Sequence, residues 1–323
     1  MLDMPSLPSY DDLSARADAP AGSAWGVFGD DDEVGCLNLI TRPAIVEAAS
    51  LVRKGAVFSL NLPIDLPDPP LFGRGLPQHN LLASQTNAFR DDYIDGFWPQ
   101  TSSQWDGLRH IRHPQDGFYN RVGDNEIVSG GGKLGIEKVA SRGIAARGVL
   151  LDLERLLRKE GKPIDQRTSF AIDVGLLQSC AQSQAVVVKP GDILLVRTGW
   201  LHWYLKEATQ EEKESIGGKG TAATLKAPGL SGAEEIAAYL WNNRVAAVAA
   251  DNPSLEAWPP EPETGFLHYK LIPHLGMMIG EQWYLEDLAA DCAEDGVYEF
   301  FLTSAPLNMR GGVGSPANAL AIK

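Results

Sequence analysis

The pattern that most constrains the fold is a helix placed between two short apolar strands in the second half of the chain. DILLVRTGW (192–200) and RVAAVAAD (244–251) are typical of buried strands, and LSGAEEIAAYLWNN (230–243) has the apolar spacing of a helix. The helix is predicted to open at Ser231, with acidic residues in its first turn. This order of strand, helix and strand predicts an α/β fold.

The remaining elements extend the same architecture. Thr41, followed by Pro43, predicts an N-capped helix that continues to Val52 and ends at Gly55. Further strands are predicted at 56–62, 148–152, 297–303 and 318–323, and further helices at 153–160 and 173–183.

Two segments lack a sustained pattern. Residues 1–24 are rich in Pro, Ser, Ala and Asp and are predicted to form an irregular arm. Residues 63–99 are broken by proline, glycine and polar residues, and loops of that length often carry function. Because no internal repeat or linker is found, we expect one α/β domain over 25–323, with a mixed β-sheet core and irregular insertions.

Charge and composition restrict the partners. The chain has 42 Asp and Glu against 28 Lys and Arg, a formal charge of −14, which repels nucleic acid and anionic membrane surfaces. No segment approaches the roughly 20 apolar residues that span a bilayer, and no basic and apolar leader opens the sequence, so a cytoplasmic protein is expected. Three widely spaced cysteines in apolar stretches indicate buried thiols: Cys36, Cys180 and Cys292.

The densest polar cluster is QTSSQWDGLRHIRH, residues 100–113. It contains Gln100, Gln104, Asp106, His110 and His113, and aspartate with histidine is a combination that binds metal ions. An extended segment would place Gln104, Asp106 and His110 on one face, whereas a helix would pair Gln100 with Gln104 and Asp106 with His110. Spacing alone leaves both conformations open, and it does not separate a metal site from structural hydrogen bonds.

A second cluster is HYKLIPHLGMMIGE, residues 268–281, which contains His268, His274 and Glu281. A histidine and a carboxylate at the ends of a buried element can both ligate a metal. Taken alone, satisfied core histidines and an exposed glutamate are the commoner explanation.

Together the two clusters resemble the cyclase family of metal-dependent hydrolases, which contains bacterial kynurenine formamidase and isatin hydrolase. SQWDGLRH (103–110) takes the place of THxDxPxH in the family signature HxGTHxDxPxH, and His268 with Glu281 takes the place of the family's late histidine and glutamate. The segments 191–200, 247–258 and 312–322 also resemble the family. The resemblance covers roughly residues 25–323 and implies a domain of the swivelling β/β/α-like type.

The resemblance implies roles for individual residues. Asp106, His268 and Glu281 would hold a divalent metal, and His110 would transfer protons. The two earlier signature histidines are replaced by Gln100 and Gln104, whose neutral amide oxygens are weaker partners for zinc than imidazole. The expected site holds a single metal on Asp106, His268 and Glu281, with Gln104 or His110 assisting. Such an oxygen-rich set shifts the choice between zinc and manganese towards manganese.

The implied activity is hydrolysis of a C–N or C–O bond in a small amide, cyclic imide, lactam or lactone by a metal-activated water, as in an arylformamidase. Substrate-binding residues are not identified. Aromatic residues near the signature could line a pocket or fill the core, and His79 in the long insertion could reach the site. A homo-oligomer, dimer or tetramer, is expected. The alternatives are a metal-free binding or scaffold protein on the same fold, and a metal-dependent lyase or dehydratase.

Overall fold

The computed structural model describes residues 7–84, 86 and 88–323. Within these residues the helices are α1 (Tyr10–Ser14), α2 (Arg42–Ala49), α3 (Ile136–Arg142), α4 (Leu153–Lys159), α5 (Val174–Ser183), α6 (Trp200–Lys206), α7 (Gln210–Ile216), α8 (Thr221–Thr224), α9 (Glu234–Asn242), α10 (Leu267–Tyr269) and α11 (Glu286–Asp295). A π-helical turn, Lys270–His274, continues α10. Short 3₁₀ turns lie at Gly35–Leu39, Tyr119–Arg121, Asp124–Glu126 and Gly218–Gly220.

The strands are β1 (Val57–Ser59), β2 (Gln78–Ala83), β3 (Arg90–Asp95), β4 (Gln104–Asp106), β5 (Ile127–Val128), β6 (Gly131–Gly132), β7 (Ile144–Asp152), β8 (Ala171–Ile172), β9 (Ile193–Arg197), β10 (Gly229–Leu230), β11 (Ala247–Ala250), β12 (Met278–Glu281), β13 (Glu299–Ser304), β14 (Gly314–Pro316) and β15 (Ala319–Ile322). Nine of them form one sheet in the order β1-β15-β13-β7-β9-β11-β12-β4-β14. Its centre, β7-β9-β11-β12, is parallel, and both flanks are antiparallel. The predicted α/β domain with a mixed β-sheet is therefore confirmed.

The parallel centre follows from the sequence. Strands β9 and β11 are buried along their whole length, which matches their unbroken apolar runs, because parallel strands are covered on both faces. Thr41 caps α2 through its side-chain oxygen, which accepts from the backbone N–H of Ala44 at 3.3 Å, as predicted.

The predicted start of the 230–243 helix was wrong. Helix α9 begins at Glu234 after Ala233, and the Ser231 hydroxyl only accepts the backbone N–H of Ala233. Before the helix, the backbone at Gly232 packs closely against another segment, because a Cβ atom there would lie 2.2 Å from the carbonyl oxygen of Gly265.

The long insertion contains a hairpin that the sequence did not predict. β2 and β3 pair in antiparallel register, and nearly all of their residues are exposed. With neither face buried, the strands need no alternation of apolar and polar residues, so the usual strand signal is missing.

The N-terminal segment is not irregular throughout, because α1 packs against α9. The Tyr10 backbone N–H donates to the side chain of Asn242 at 2.8 Å, and Leu13 is fully buried. All three cysteines are buried, as predicted, and none is in a disulfide within the described residues. Across that same part of the chain, no helix combines the length and apolar character needed to cross a membrane.

Candidate metal centre

Two neighbouring strands place three polar side chains on one face of the sheet. β4 and β12 pair in antiparallel register, with Gln104 opposite Glu281 and Asp106 opposite Ile279. Because side chains alternate along a strand, Gln104, Asp106 and Glu281 point to the same side. The segment around Asp106 is therefore extended, and the helical alternative is excluded. The indole N–H of Trp283 donates to the backbone carbonyl of Gln104 at 2.9 Å and fixes the position of the strand there.

His268 reaches the same face from α10. Its Nδ1 lies 2.6 Å from a carboxylate oxygen of Glu256, and its Nε2 lies 3.2 Å from Oε1 of Glu281. The ring of Phe266 stacks on the imidazole with centroids 4.3 Å apart. Glu256 thus orients the imidazole with Nε2 towards the strands, an arrangement common for metal-ligating histidines.

Asp106, His268 and Glu281 form a buried triad whose ligand atoms lie within 4.8 Å of one another. One oxygen of Asp106, Oδ2, is buried and finds no hydrogen-bond partner among the described residues. An unpaired carboxylate oxygen in the interior is costly, and a cation at this point would satisfy it. Two carboxylates and one imidazole also suit a divalent metal chemically, so the triad fits the group that the resemblance implies.

The protonation of the triad agrees with this interpretation. Burial, together with the charge of Asp106, raises the pKa of Glu281 to about 7. Burial lowers the pKa of His268, but the carboxylates of Glu256 and Glu281 outweigh it and raise that pKa to about 10. The surrounding carboxylates therefore favour positive charge at the triad, and a metal bound there would compete with protons.

The two signature glutamines differ in position. The amide nitrogen of Gln104 donates to Glu281 at 2.6 Å and lies 3.4 Å from Asp106, while its oxygen accepts from Arg74 at 3.3 Å. To offer its oxygen to a metal, this amide would have to turn over and leave Arg74. The amide of Gln100 lies against Gly314 instead, where a Cβ atom would be 2.8 Å from its nitrogen.

His110 stands at the edge of the triad. Its Nε2 is 3.8 Å from the unpaired oxygen of Asp106, beyond hydrogen-bond distance, and its ring centroid is 6.5 Å from that of His268. Burial lowers the pKa of His110, with Asp106 opposing this shift and His268 and Arg74 adding to it. The imidazole is therefore neutral near pH 7 and able to accept a proton.

A cavity of about 190 Å³ opens above the triad. His110, His268 and Glu281 line it together with three aromatic side chains, Phe72, Trp258 and Phe266. The aromatic residues near the signature mostly fill the core: Trp105, Phe118 and Tyr119 are buried within it. A larger cavity of about 330 Å³, near Arg197 and Trp203, includes none of the triad. His79 lies on the exposed hairpin and pairs with Asp92, so it does not reach the site.

Sequence reasoning missed Glu256 and Arg74. Glu256 lies in DNPSLE, directly after the buried strand β11, and polar residues at the end of such a strand are a usable signal. Leu255 and Gln282, which adjoin Glu256 and Glu281, have φ values of 57° and 56°. Such backbone conformations are unfavourable for these residues and cluster at functional sites.

Comparison with known proteins identifies the family of the chain. The family model described as "Putative cyclase" matches residues 51–257. A crystal structure described as that of a novel cyclase is 36% identical, covers 93% of this chain and 99% of its own, and superposes with a TM-score of 0.80. The chain therefore belongs to the cyclase family.

More distant structures share the fold. Isatin hydrolase A from Labrenzia aggregata, bound to benzyl benzoate, is 15% identical over 85% of this chain and 94% of its own, with a TM-score of 0.55. An isatin hydrolase bound to the product analogue thioisatinate is 14% identical over 87% of this chain and 98% of its own, with a TM-score of 0.54. No curated protein sequence matches the chain.

Proposed function

We propose that this chain is a metal-dependent hydrolase that cleaves a C–N or C–O bond in a small amide, cyclic imide, lactam or lactone. The observation that carries the proposal is the unpaired, buried oxygen of Asp106, a residue that forms a triad with His268 and Glu281, both of which line a cavity. Membership of the cyclase family and the fold shared with proteins named isatin hydrolases support the same class of activity.

Asp106, His268 and Glu281 would hold the metal, with Mn²⁺ favoured over Zn²⁺ by the two carboxylates. A divalent metal bound there would lower the pKa of the attacking water and polarise the substrate carbonyl. Glu256 would hold the His268 ring in the tautomer that turns Nε2 towards the metal.

His110 would carry the proton. Its imidazole is neutral near pH 7 and lines the cavity, so it can accept a proton from water as the C–O bond to the carbonyl carbon forms. It would return that proton to the departing nitrogen or oxygen as the scissile bond breaks. Phe72, Trp258 and Phe266 would bind the flat, apolar part of the substrate.

The rival with an observation in its favour is a metal-free binding protein. The Gln104 amide donates to Glu281 and approaches Asp106, and the charges of His268 and Arg74 act on the Glu281 carboxylate. The unpaired oxygen of Asp106 is the feature that this network leaves unsatisfied.

A substrate survey tests the proposal. Manganese-loaded and chelator-treated protein would be incubated with aryl formamides, cyclic imides, lactams and lactones, and products followed by mass spectrometry. We expect at least one class to gain the mass of water only with the metal-loaded protein. A product that loses water instead identifies a lyase or dehydratase. If neither sample converts a compound and both bind it equally tightly, the result would support the metal-free binding protein.

A further inference from the structure

A second cluster of histidine and carboxylate side chains lies outside the cavity. His113, Asp116 and His274 each offer a ligand atom, and these atoms lie within 4.8 Å of one another. Oδ2 of Asp116 is 2.8 Å from Nδ1 of His113 and 2.9 Å from Nε2 of His274. The three side chains are between 15% and 29% exposed, so ions in solution can reach them.

Local structure holds the three residues together. His113 and Gly117 exchange two backbone hydrogen bonds, at 2.9 and 3.1 Å, which close a tight loop and set Asp116 beside His113. His274 ends the π-helical turn, and its carbonyl accepts the backbone N–H of Ala24 at 2.9 Å. The backbone on both sides of the cluster is therefore fixed by contacts that do not involve its side chains.

One proton cannot satisfy the contacts of the His113 ring. Its Nδ1 faces the backbone N–H of Asp116 at 3.2 Å, which requires a free lone pair on that nitrogen. The same nitrogen lies 2.8 Å from the negatively charged oxygen of Asp116, which then faces a lone pair. A cation that took this lone pair in place of the Asp116 N–H, and bound the carboxylate as well, would remove the repulsion, because both groups are electron-pair donors.

We propose that His113, Asp116 and His274 bind a second divalent transition-metal ion of the zinc class. Two imidazoles and one carboxylate are a usual zinc ligand set, and water would complete the coordination. Tetrahedral zinc needs ligand atoms roughly 3.3 Å apart. The cluster must therefore open by about half an ångström, which small rotations of partly exposed side chains allow.

The position of the cluster suggests what this ion does. It joins the loop that carries His110 to the turn that follows His268, two segments that meet at the cavity. A metal bound here would cross-link the two segments and hold the His110 loop against α10. The proposal does not rest on the hydrolase activity, because the three ligands belong to neither the triad nor the cavity lining.

Metal stoichiometry tests the second site. The full-length chain would be stripped with chelator and titrated with Zn²⁺, first as wild type and then as the double variant Asp106→Asn, Glu281→Gln, in which the buried triad is disabled. We expect the double variant to keep one zinc equivalent and to melt at a higher temperature with zinc than without it. A double variant that binds no zinc overturns the second site, whatever the activity survey shows.

Three further substitutions in the double-variant background locate the ion. His274→Ala and the isosteric Asp116→Asn should each weaken zinc binding by more than the roughly 10–100-fold typical of losing an outer hydrogen-bond partner. His79→Ala, which removes an exposed histidine paired with Asp92, is the matched control and should bind zinc normally. If His274→Ala does not fold, Asp116→Asn still decides the matter. Unchanged affinity in a folded Asp116→Asn protein would show that His113, Asp116 and His274 are only hydrogen-bonded to one another.

Discussion

The two histidine and carboxylate clusters draw on the same two stretches of chain, yet they differ in burial. The triad of Asp106, His268 and Glu281 is buried, whereas the His113, Asp116 and His274 side chains are partly exposed. In the buried triad, the raised pKa values of His268 and Glu281 record how poorly the interior tolerates unbalanced charge. Water can partly screen the exposed cluster. Burial therefore makes the need for a cation stronger in the triad than in the exposed cluster.

The largest expected effect is the loss of metal binding at the triad alone. Asp106→Asn should abolish metal binding by the triad and reduce hydrolysis to the background rate, because the unpaired anionic oxygen is lost. The metal-free variant should melt at or above the temperature of metal-free wild type, since a buried charge has been removed. Elemental analysis and thermal melting measure both. Asp124→Asn, at an exposed carboxylate paired with Arg112, is the control and should behave as wild type. A folded Asp106→Asn protein that retains both metal equivalents would contradict the assignment.

The second effect concerns His110, which lies at the edge of the triad and is expected to transfer protons. His110→Ala should keep both metals but lower turnover by about two to four orders of magnitude, the usual contribution of a positioned acid or base. Wild type should show an acidic limb in kcat/KM below pH 6.5, because burial lowers the pKa of His110, and the variant should lose this limb. Loss of metal in the variant would instead make His110 a ligand. His79→Ala serves as the control for removing a histidine elsewhere.

A smaller effect tests whether the buried triad depends on its support. Glu256→Gln should weaken metal binding by about 10–100-fold, because the His268 ring loses a charged partner 2.6 Å away. The exposed cluster of His113, Asp116 and His274 should keep its affinity for metal. Isothermal titration with Mn²⁺ measures the change, and Glu263→Gln, at an exposed glutamate, is the matched control. Equal affinities in the two variants would show that Glu256 does not support metal binding by the triad.

The smallest expected effect is a change in metal preference when the signature glutamines, Gln104 and Gln100, are replaced. Gln104→His should shift the triad towards Zn²⁺ in Mn²⁺ and Zn²⁺ competition, because imidazole is a softer ligand than an amide oxygen. Gln100→His should shift it less, since that amide lies against Gly314. Competition at one fixed pH is required, because protonation of the ligands changes affinity. A larger shift at Gln100 would reverse the two roles.

The sequence predicted the central strands and the ligand candidates better than their surroundings. Apolar runs locate β9 and β11, and the signature resemblance points to Asp106, His268 and Glu281, which the fold brings together. Glu256 was missed because its role depends on a contact with His268, 12 positions away, which no periodicity records; its place just after a buried strand was the one available signal. The β2–β3 hairpin escaped for the opposite reason, since exposed strands leave no apolar pattern. The homo-oligomer, the arm boundary at residue 24 and the cytoplasmic location stay predictions.

Anomalous diffraction from crystals loaded with Mn²⁺ tests the central claim most directly. We predict a manganese peak roughly 2.0–2.3 Å from Oδ2 of Asp106, Nε2 of His268 and a carboxylate oxygen of Glu281. Chelator-treated crystals should lose the peak and provide the control. A loaded crystal with no peak there, and with the Gln104 amide still donating to Glu281, would contradict the assignment of the buried triad as a metal centre.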